Sequence, residues 1–425
     1  MGKVGIDMKT TRRQFLVQVS VAVAPLVVPR RVFGANSRIN VGWIGCGRRA
    51  GQLRGIPEDA QAVAVADVNI NRAQSWLKFG RKYGMTKDDC YQDYREMLER
   101  DDLDAVIIAT PDHWHALNSI HAMNAGKHVY CEKPMTLTIR EGRLMVDAAR
   151  KNNVVCQCGS QQRTMEQNRI GCALVREGRI GKVHTVHAAC FPTSWECNLP
   201  EMDAAPEEID WDMWCGPTEP RGYHDNLYVP RGGKMGHEWG WISFRRYSGG
   251  EMTGWGAQGF DQIQWALGKD LTGPTKIIPH EDSPPFDGVH LGPNNYIDMV
   301  YDDGTAGGGG GWFEGEDGEV KIDRGKYACK PGTLDDELPP LPASSHTGDT
   351  NQHIANWLHC ARTGERPNAD VEIGHRSSTV CHLGNIARWL KRELIWDPVT
   401  ETFPGDDEAN SYIDRDRRAP WVLES

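Results

Sequence analysis

Between Ile39 and Cys158, short runs of β-branched and other apolar residues alternate with stretches whose apolar positions recur at helical spacing. The first kind predicts strands at Ile39–Ile44, Ala62–Ala66, Ala105–Ala109, His128–Cys131 and Val154–Gln157. The second predicts helices over Arg72–Arg81, Ala116–Asn124 and Ile139–Lys151. Alternation of that kind builds a parallel sheet covered by helices, so residues 36–158 read as a doubly wound α/β domain. Past Gly159 the period changes. A helix over Arg169–Glu177 leads into an alternating strand over Val183–Phe191, and further strands are predicted at Tyr296–Tyr301 and Glu319–Ile322. The turns Asp302-Asp303-Gly304 and Glu316-Asp317-Gly318 have hairpin chemistry, because aspartate followed by glycine tolerates positive φ. Residues 159–425 are therefore a second, α+β domain with a large, open and mostly antiparallel sheet, closed by a helical tail from Asn351 to Trp389. The five glycines Gly307–Gly311 fit either a flexible loop or a strand over which another backbone passes closely.

The first 35 residues stand outside this pattern. Thr10-Thr11-Arg12-Arg13-Gln14-Phe15-Leu16 sets a twin arginine before an apolar run that ends at Val28, too short to span a bilayer comfortably. It reads as a twin-arginine export signal, cleaved near Gly34 or Ala35, and places the mature protein in the periplasm or otherwise outside the cytoplasm. Its removal takes away Lys3, Lys9, Arg12, Arg13, Arg30 and Arg31 against Asp7, so the net charge moves from −10 to about −15. A surface that acidic disfavours nucleic acid and membranes as partners. The 12 cysteines are scattered through a large chain that would fold before export, and they read mostly as buried thiols; Cys156-Gln157-Cys158 has the wrong spacing for zinc, and no metal site is expected.

Gly45 and Gly47 follow the first strand and precede a helix, with Ala50 as the third small residue. Without a Cβ the backbone can approach a pyrophosphate, which also points to Cys46, Arg48 and Arg49 as neighbours of that group. Asp67 ends the second strand about 20 residues further on, where a carboxylate accepts both ribose hydroxyls and repels a 2′-phosphate. NAD is expected, and NADP is disfavoured. Thr110, Pro111 and His115 sit at another strand end beside the same crevice, where His113 and His115 read as capping or packing groups ahead of catalysts. Glu132-Lys133-Pro134 follows the strand His128–Cys131 and aims a lysine at that crevice. Trp211, Trp214, Trp239, Trp241 and Trp255 cluster where a substrate cleft would lie, although any single one reads first as core filler. Arg221–Glu238, with Tyr223, His224 and His237, reads equally as a polar loop able to close over substrate or as a plain solvated loop.

These stretches, with Gly159-Ser160-Gln161-Gln162-Arg163 and the segment from Gly374-His375-Arg376 to Ala387, resemble the Gfo/Idh/MocA family (glucose-fructose oxidoreductase, inositol dehydrogenase, rhizopine catabolism), in particular its exported branch. The resemblance implies hydride transfer between tightly bound NAD and a sugar, polyol or glycoside, with Lys133 as the active-site lysine, Glu132 and Pro134 shaping its turn, and Arg163, His224, Trp255 and Gln258 at the substrate. The alternative is a glycoside hydrolase that uses NAD through a transient 3-keto sugar, and a third reading is a sugar-binding protein that has lost its base. The partners expected are a small carbohydrate and further copies of the chain, meeting through the open sheet. One departure matters. Gly254 stands where members usually carry an aspartate and Gln258 where they carry a histidine, while Asp261 is retained. Glutamine cannot take a proton, so the base is Lys133 alone or one of His237, His224, Tyr223 and Asp261.

Overall fold

The computed structural model describes residues 38–188, 191, 193–197, 199–200, 204–231, 240–280, 297–301, 306–308, 311–336 and 346–423. The twin-arginine stretch, the turn Asp302-Asp303-Gly304 and His237 lie outside the described residues. Six strands, β1 (Ile39–Ile44), β2 (Ala60–Ala66), β3 (Cys90–Tyr91), β4 (Ala105–Ile108), β5 (His128–Cys131) and β6 (Cys156–Cys158), form a parallel sheet in the order β3-β2-β1-β4-β5-β6. Every residue of β4 is buried, as expected of a strand covered on both faces. Strand order reverses between β1 and β4, and at such a switch point the connections leave in opposite directions and open a crevice at the carboxyl ends of the strands.

Local chemistry sets the helix limits. Ile139–Lys151 starts where predicted because Thr138 and Glu141 close a capping box: the Thr138 hydroxyl accepts the Glu141 N–H at 3.3 Å and Glu141 Oε2 accepts the Thr138 N–H at 3.2 Å. The helix predicted from Ala116 instead begins at Asp112, directly after the extended Pro111, and so carries Asp112 and His115 into the crevice wall. The stretch predicted as one helix over Arg72–Arg81 is two short ones, Ile70–Ser75 and Leu77–Gly80, the first capped by Asn69.

The second sheet holds β7 (Val183–Ala188), β8 (Lys276–Pro279), β9 (Ile297–Val300), β10 (Ala306–Gly308), β11 (Gly311–Gly315), β12 (Glu319–Asp323), β13 (Lys326–Lys330) and β14 (Leu394–Ile395). Its order is β13-β12-β11-β7-β10-β9-β8-β14, antiparallel apart from the β7–β10 pair. Val186, Phe313, Val320 and Ile322 on one face share a core with residues of the helices Glu166–Arg176, Gly256–Ala266 and Val371–Leu390. The described part of the glycine run is strand, and at Gly311 a Cβ would lie 2.7 Å from the Ile322 carbonyl oxygen, so the close-passing backbone is the reading that holds. Glu316-Asp317-Gly318 does join β11 to β12, but Gly318 is not left-handed. It supplies space, since a Cβ there would lie 2.5 Å from the Lys330 carbonyl oxygen. The described cysteines are free thiols, most of them buried. Among the described residues no helix is long and apolar enough to cross a membrane.

Candidate active site

The chain leaves β1 through Gly45 at φ +85°, a conformation that costs a side-chain-bearing residue energy. Space demands glycine as well, because a Cβ would stand 2.9 Å from the Ala109 carbonyl and the Thr110 nitrogen at the end of β4. The turn is tied down from three sides. Gly45 N–H donates to the Ala66 carbonyl at 2.8 Å, the Trp76 indole N–H donates to the Cys46 carbonyl at 3.0 Å, and Cys46 N–H donates to Asp67 Oδ2 at 2.8 Å. Asp67 Oδ1 accepts Asn69 N–H at 2.9 Å, and the Arg72 guanidinium lies 3.8 Å from Oδ2. Burial pushes the Asp67 carboxyl up, against Arg72 and the two N–H donors. At Gly47, by contrast, a Cβ would meet nothing within 4 Å.

That open side is one end of a cavity of about 690 Å³, lined by Gly45 to Arg49, Asp67, Thr110 to Asp112, His115, Glu132, Lys133, Gln161, Trp255 and Gln258 among others. Its size suits a cofactor site. The glycine turn without side chains, the acid at the end of β2 and the free volume beside Gly47 together fit a dinucleotide.

The same cavity is lined by Lys133. Its ammonium donates to the Gly254 carbonyl at 2.7 Å, so the backbone of the position that lost the usual aspartate now holds the lysine. Burial lowers the Lys133 pKa, with Glu132 and Asp112 opposing. Glu132 is buried and binds Arg49 through Nε at 2.8 Å and Nη2 at 2.6 Å, while its second oxygen accepts Lys133 N–H at 3.1 Å. Burial alone would raise the Glu132 carboxyl; Arg49 and Lys133 hold it below the usual range. Arg49 thus lines the cavity but is committed to Glu132. His115 lies with one ring nitrogen 2.7 Å from the Pro134 carbonyl oxygen and the other 2.9 Å from that of Thr110, which locks the two strand-end loops together and makes it a positioning residue. His113, pushed down to about 3 by burial, packs on Trp214 as a neutral ring. Gln258 is 5% exposed; its amide nitrogen reaches Gln161 at 3.5 Å, and its buried Oε1 has no partner among the described residues. A buried acceptor without a donor is costly, and a ligand hydroxyl or amide would satisfy it.

Sequence reasoning missed one cavity-lining acid. Asp112 is 4% exposed and its Oδ2 accepts the Ser248 hydroxyl at 2.6 Å. Burial pushes this carboxyl up to about 6, against His115, Ser248, Lys133 and Arg231. The signal was its place directly after Pro111, at a strand end that already faced the crevice.

Other expected site residues lie elsewhere. Asp261 and Arg163 do not line the cavity: Arg163 Nε donates to both Asp261 oxygens at 2.9 and 2.8 Å, its Nη2 reaches Asp270 at 2.7 Å, and Ser377 donates to Asp261 at 2.6 Å. With both side chains only 2% exposed, this is a buried ion pair, and the structure brings neither Asp261 nor Arg163 to the cavity surface. Tyr223 donates its hydroxyl to Asp225 at 2.7 Å and packs on Trp211, and His224 accepts Asn226 N–H at 3.0 Å as the cap of a short turn; neither reaches the cavity. Of the five tryptophans expected there, Trp214, Trp241 and Trp255 line it, Trp211 stacks behind Trp214 with centroids 4.4 Å apart, and Trp239 lies outside the described residues; Trp114 lines it as well.

The sequence matches the models of an oxidoreductase family: its NAD-binding Rossmann fold over residues 39–160 and its C-terminal alpha/beta domain over residues 182–423. It is 29% identical over 191 residues to a glycosyl hydrolase family 109 protein of Shewanella pealeana, covering 43% of this chain and 40% of that one. A glycosyl hydrolase family 109 protein 1 of Shewanella sp. MR-4 is 31% identical over 203 residues, covering 44% and 41%. The chain thus spans about two fifths of the length of these curated relatives. Among solved structures, aldose-aldose oxidoreductase from Caulobacter crescentus complexed with glycerol superposes with a TM-score of 0.58 at 18% identity, covering 84% of this chain and 99% of that one. Levoglucosan dehydrogenase, in complex with NADH and levoglucosan, gives 0.57 at 16% identity with the same coverage. At such identities the likeness to the structures is one of fold, but the family models take in both sheets and the cavity between them, and the chain belongs to the Gfo/Idh/MocA family of oxidoreductases.

Proposed function

We propose that this chain is an exported, NAD-dependent oxidoreductase of a sugar, polyol or glycoside. The observation that carries the reading is the convergence of Lys133 and Gln258, whose buried Oε1 has no partner among the described residues, on the cavity that also holds the glycine turn. Gly45 to Gly47 would hold the pyrophosphate and Asp67 the ribose, and the bound nicotinamide supplies a hydride acceptor or donor. In the oxidative direction a carbohydrate C–H gives up hydride while its O–H gives up a proton. Lys133 stabilises the developing alkoxide, Gln258 Oε1 orients a hydroxyl, and Asp112 takes the proton.

A second reading, cleavage of a glycoside through a transient 3-keto sugar with no net change of NAD, is supported by the relatives named glycosyl hydrolase family 109. A panel of free sugars and glycosides, followed at 340 nm and by product release together, separates the two. NADH accumulation supports the first, aglycone release without it supports the second, and neither signal from any member sinks both.

Asp112 accepts a proton only when ionised, and its carboxyl sits at about 6, above the ordinary range, so turnover should rise with pH through about 6 and level off above it. Asp112→Asn is expected to remove that limb and cost on the order of 10²-fold in turnover. A limb that survives the change assigns the proton to another group. NAD is preferred over NADP because Asp67 would repel a 2′-phosphate; Asp67→Ala should weaken NAD binding by about 1–3 kcal/mol in calorimetric titration, and purification with NADP bound would overturn the assignment. Export rests on Arg12 and Arg13: changing both to lysine should retain the precursor in the cytoplasm, and unaltered delivery contradicts the proposal. Association of copies through the outer face of the open sheet belongs to the same proposal, and a strictly monomeric mass in light scattering counts against it.

A further inference from the structure

Charges around the cavity are unevenly paired. Arg49 is bound to Glu132, Arg72 stands beside Asp67, and Arg231 is bonded to Glu251. Arg324 lies on the turn between β12 and β13 and has no ion-pair partner among the described residues. Its guanidinium carbon sits 5.2 Å from the ring centroid of Trp255, with Arg231 5.9 Å and the Lys133 ammonium 6.0 Å from the same ring. Trp255 is 44% exposed, and all four residues line the cavity. One indole face attracts a cation, but three cations drawn around one ring repel each other, and Glu251 neutralises only Arg231. In a chain of net charge −10, an excess of positive charge gathered at one wall of a cavity is a focused field for an anion.

We propose that the wall formed by Trp255, Arg324, Arg231 and Lys133 is a subsite for a sugar bearing an anionic substituent, a uronic carboxylate or a sulfate ester, with the sugar ring against Trp255 and the anion on Arg324. The inference rests on the carbohydrate reading above and narrows it. The pieces divide the work by chemistry: an indole face suits the CH face of a pyranose, and a guanidinium offers two parallel N–H donors matched to the oxygens of a carboxylate or sulfate. Lys133, already bonded to Gly254, stays directed at the reacting hydroxyl, while Arg324 is free to hold the substituent.

The test is binding, read by calorimetry and by quenching of tryptophan fluorescence on the protein as purified. Methyl glucoside, methyl glucuronide and methyl glucoside 6-sulfate are compared at two salt concentrations. At least one anionic sugar should bind about 10-fold or more tighter than the neutral one and weaken with salt, and the carboxylate and sulfate arms identify the substituent. Arg324→Gln should erase that preference without changing affinity for the neutral sugar, and Arg324→Lys should retain part of it. Equal affinity for all three, or an equal loss for all three in Arg324→Gln, overturns the subsite and leaves the carbohydrate reading intact. No binding of any of them overturns both.

Discussion

Lys133→Ala should lose turnover by about 10³-fold while still binding its dinucleotide. Lys133 is a cavity-lining cation held without a counter-ion of its own, whereas the neighbouring Arg49 is already bound to Glu132 and Arg231 to Glu251, and Arg324 is assigned to the substituent rather than to the developing alkoxide. Its ammonium is held by a neutral carbonyl, that of Gly254, so its charge remains available to substrate. The residues placed to hold the dinucleotide depend on other contacts, since the Gly45–Gly47 turn is fixed by Ala66, Asp67 and Trp76. Calorimetric titration with NAD and steady-state turnover of the same preparation separate the two effects. Gln258→Ala, which removes one orienting hydrogen bond, should cost only about 10-fold to 100-fold. Near-normal turnover in Lys133→Ala would show that the chemistry has moved to another group.

What the sequence made legible was whatever chemistry acts over a few residues. β1, β5 and the helix Ile139–Lys151 fall where predicted, the last because Thr138 and Glu141 announce its start. Gly45, Asp67 and Lys133 could be placed at strand ends before any contact was known, because a doubly wound sheet brings such ends to one crevice. β3, with two residues, carries no period to detect. The site errors have a different origin. Asp261 and Arg163 are 98 residues apart, and nothing local in either segment says that each neutralises the other. Asp112 was passed over for the histidines beside it, since the burial that lifts its carboxyl to about 6, and the opposing hydrogen bond from Ser248, 136 residues away, are made only in the folded chain. Charge pairing is a tertiary property, and it decides which acids and bases remain free for chemistry.

The Arg163–Asp261 pair provides the second large effect, and it falls on stability. Asp261→Ala leaves the Arg163 guanidinium buried with Asp270 alone, on a side chain 30% exposed, and strips Ser377 of its acceptor. Breaking a buried pair from one side typically costs about 3–5 kcal/mol, because the remaining charge keeps its desolvation penalty and loses its partner. Thermal unfolding should therefore drop well below that of the parent, and residual folded protein at low temperature should still turn over, since neither residue lines the cavity. Arg163→Met combined with Asp261→Leu should regain most of the loss, because an apolar pair of similar volume leaves no buried charge to solvate. If Asp261→Ala instead melts like the parent and loses turnover, the carboxylate belongs to the chemistry, and its bond to Arg163 is a way of aiming it.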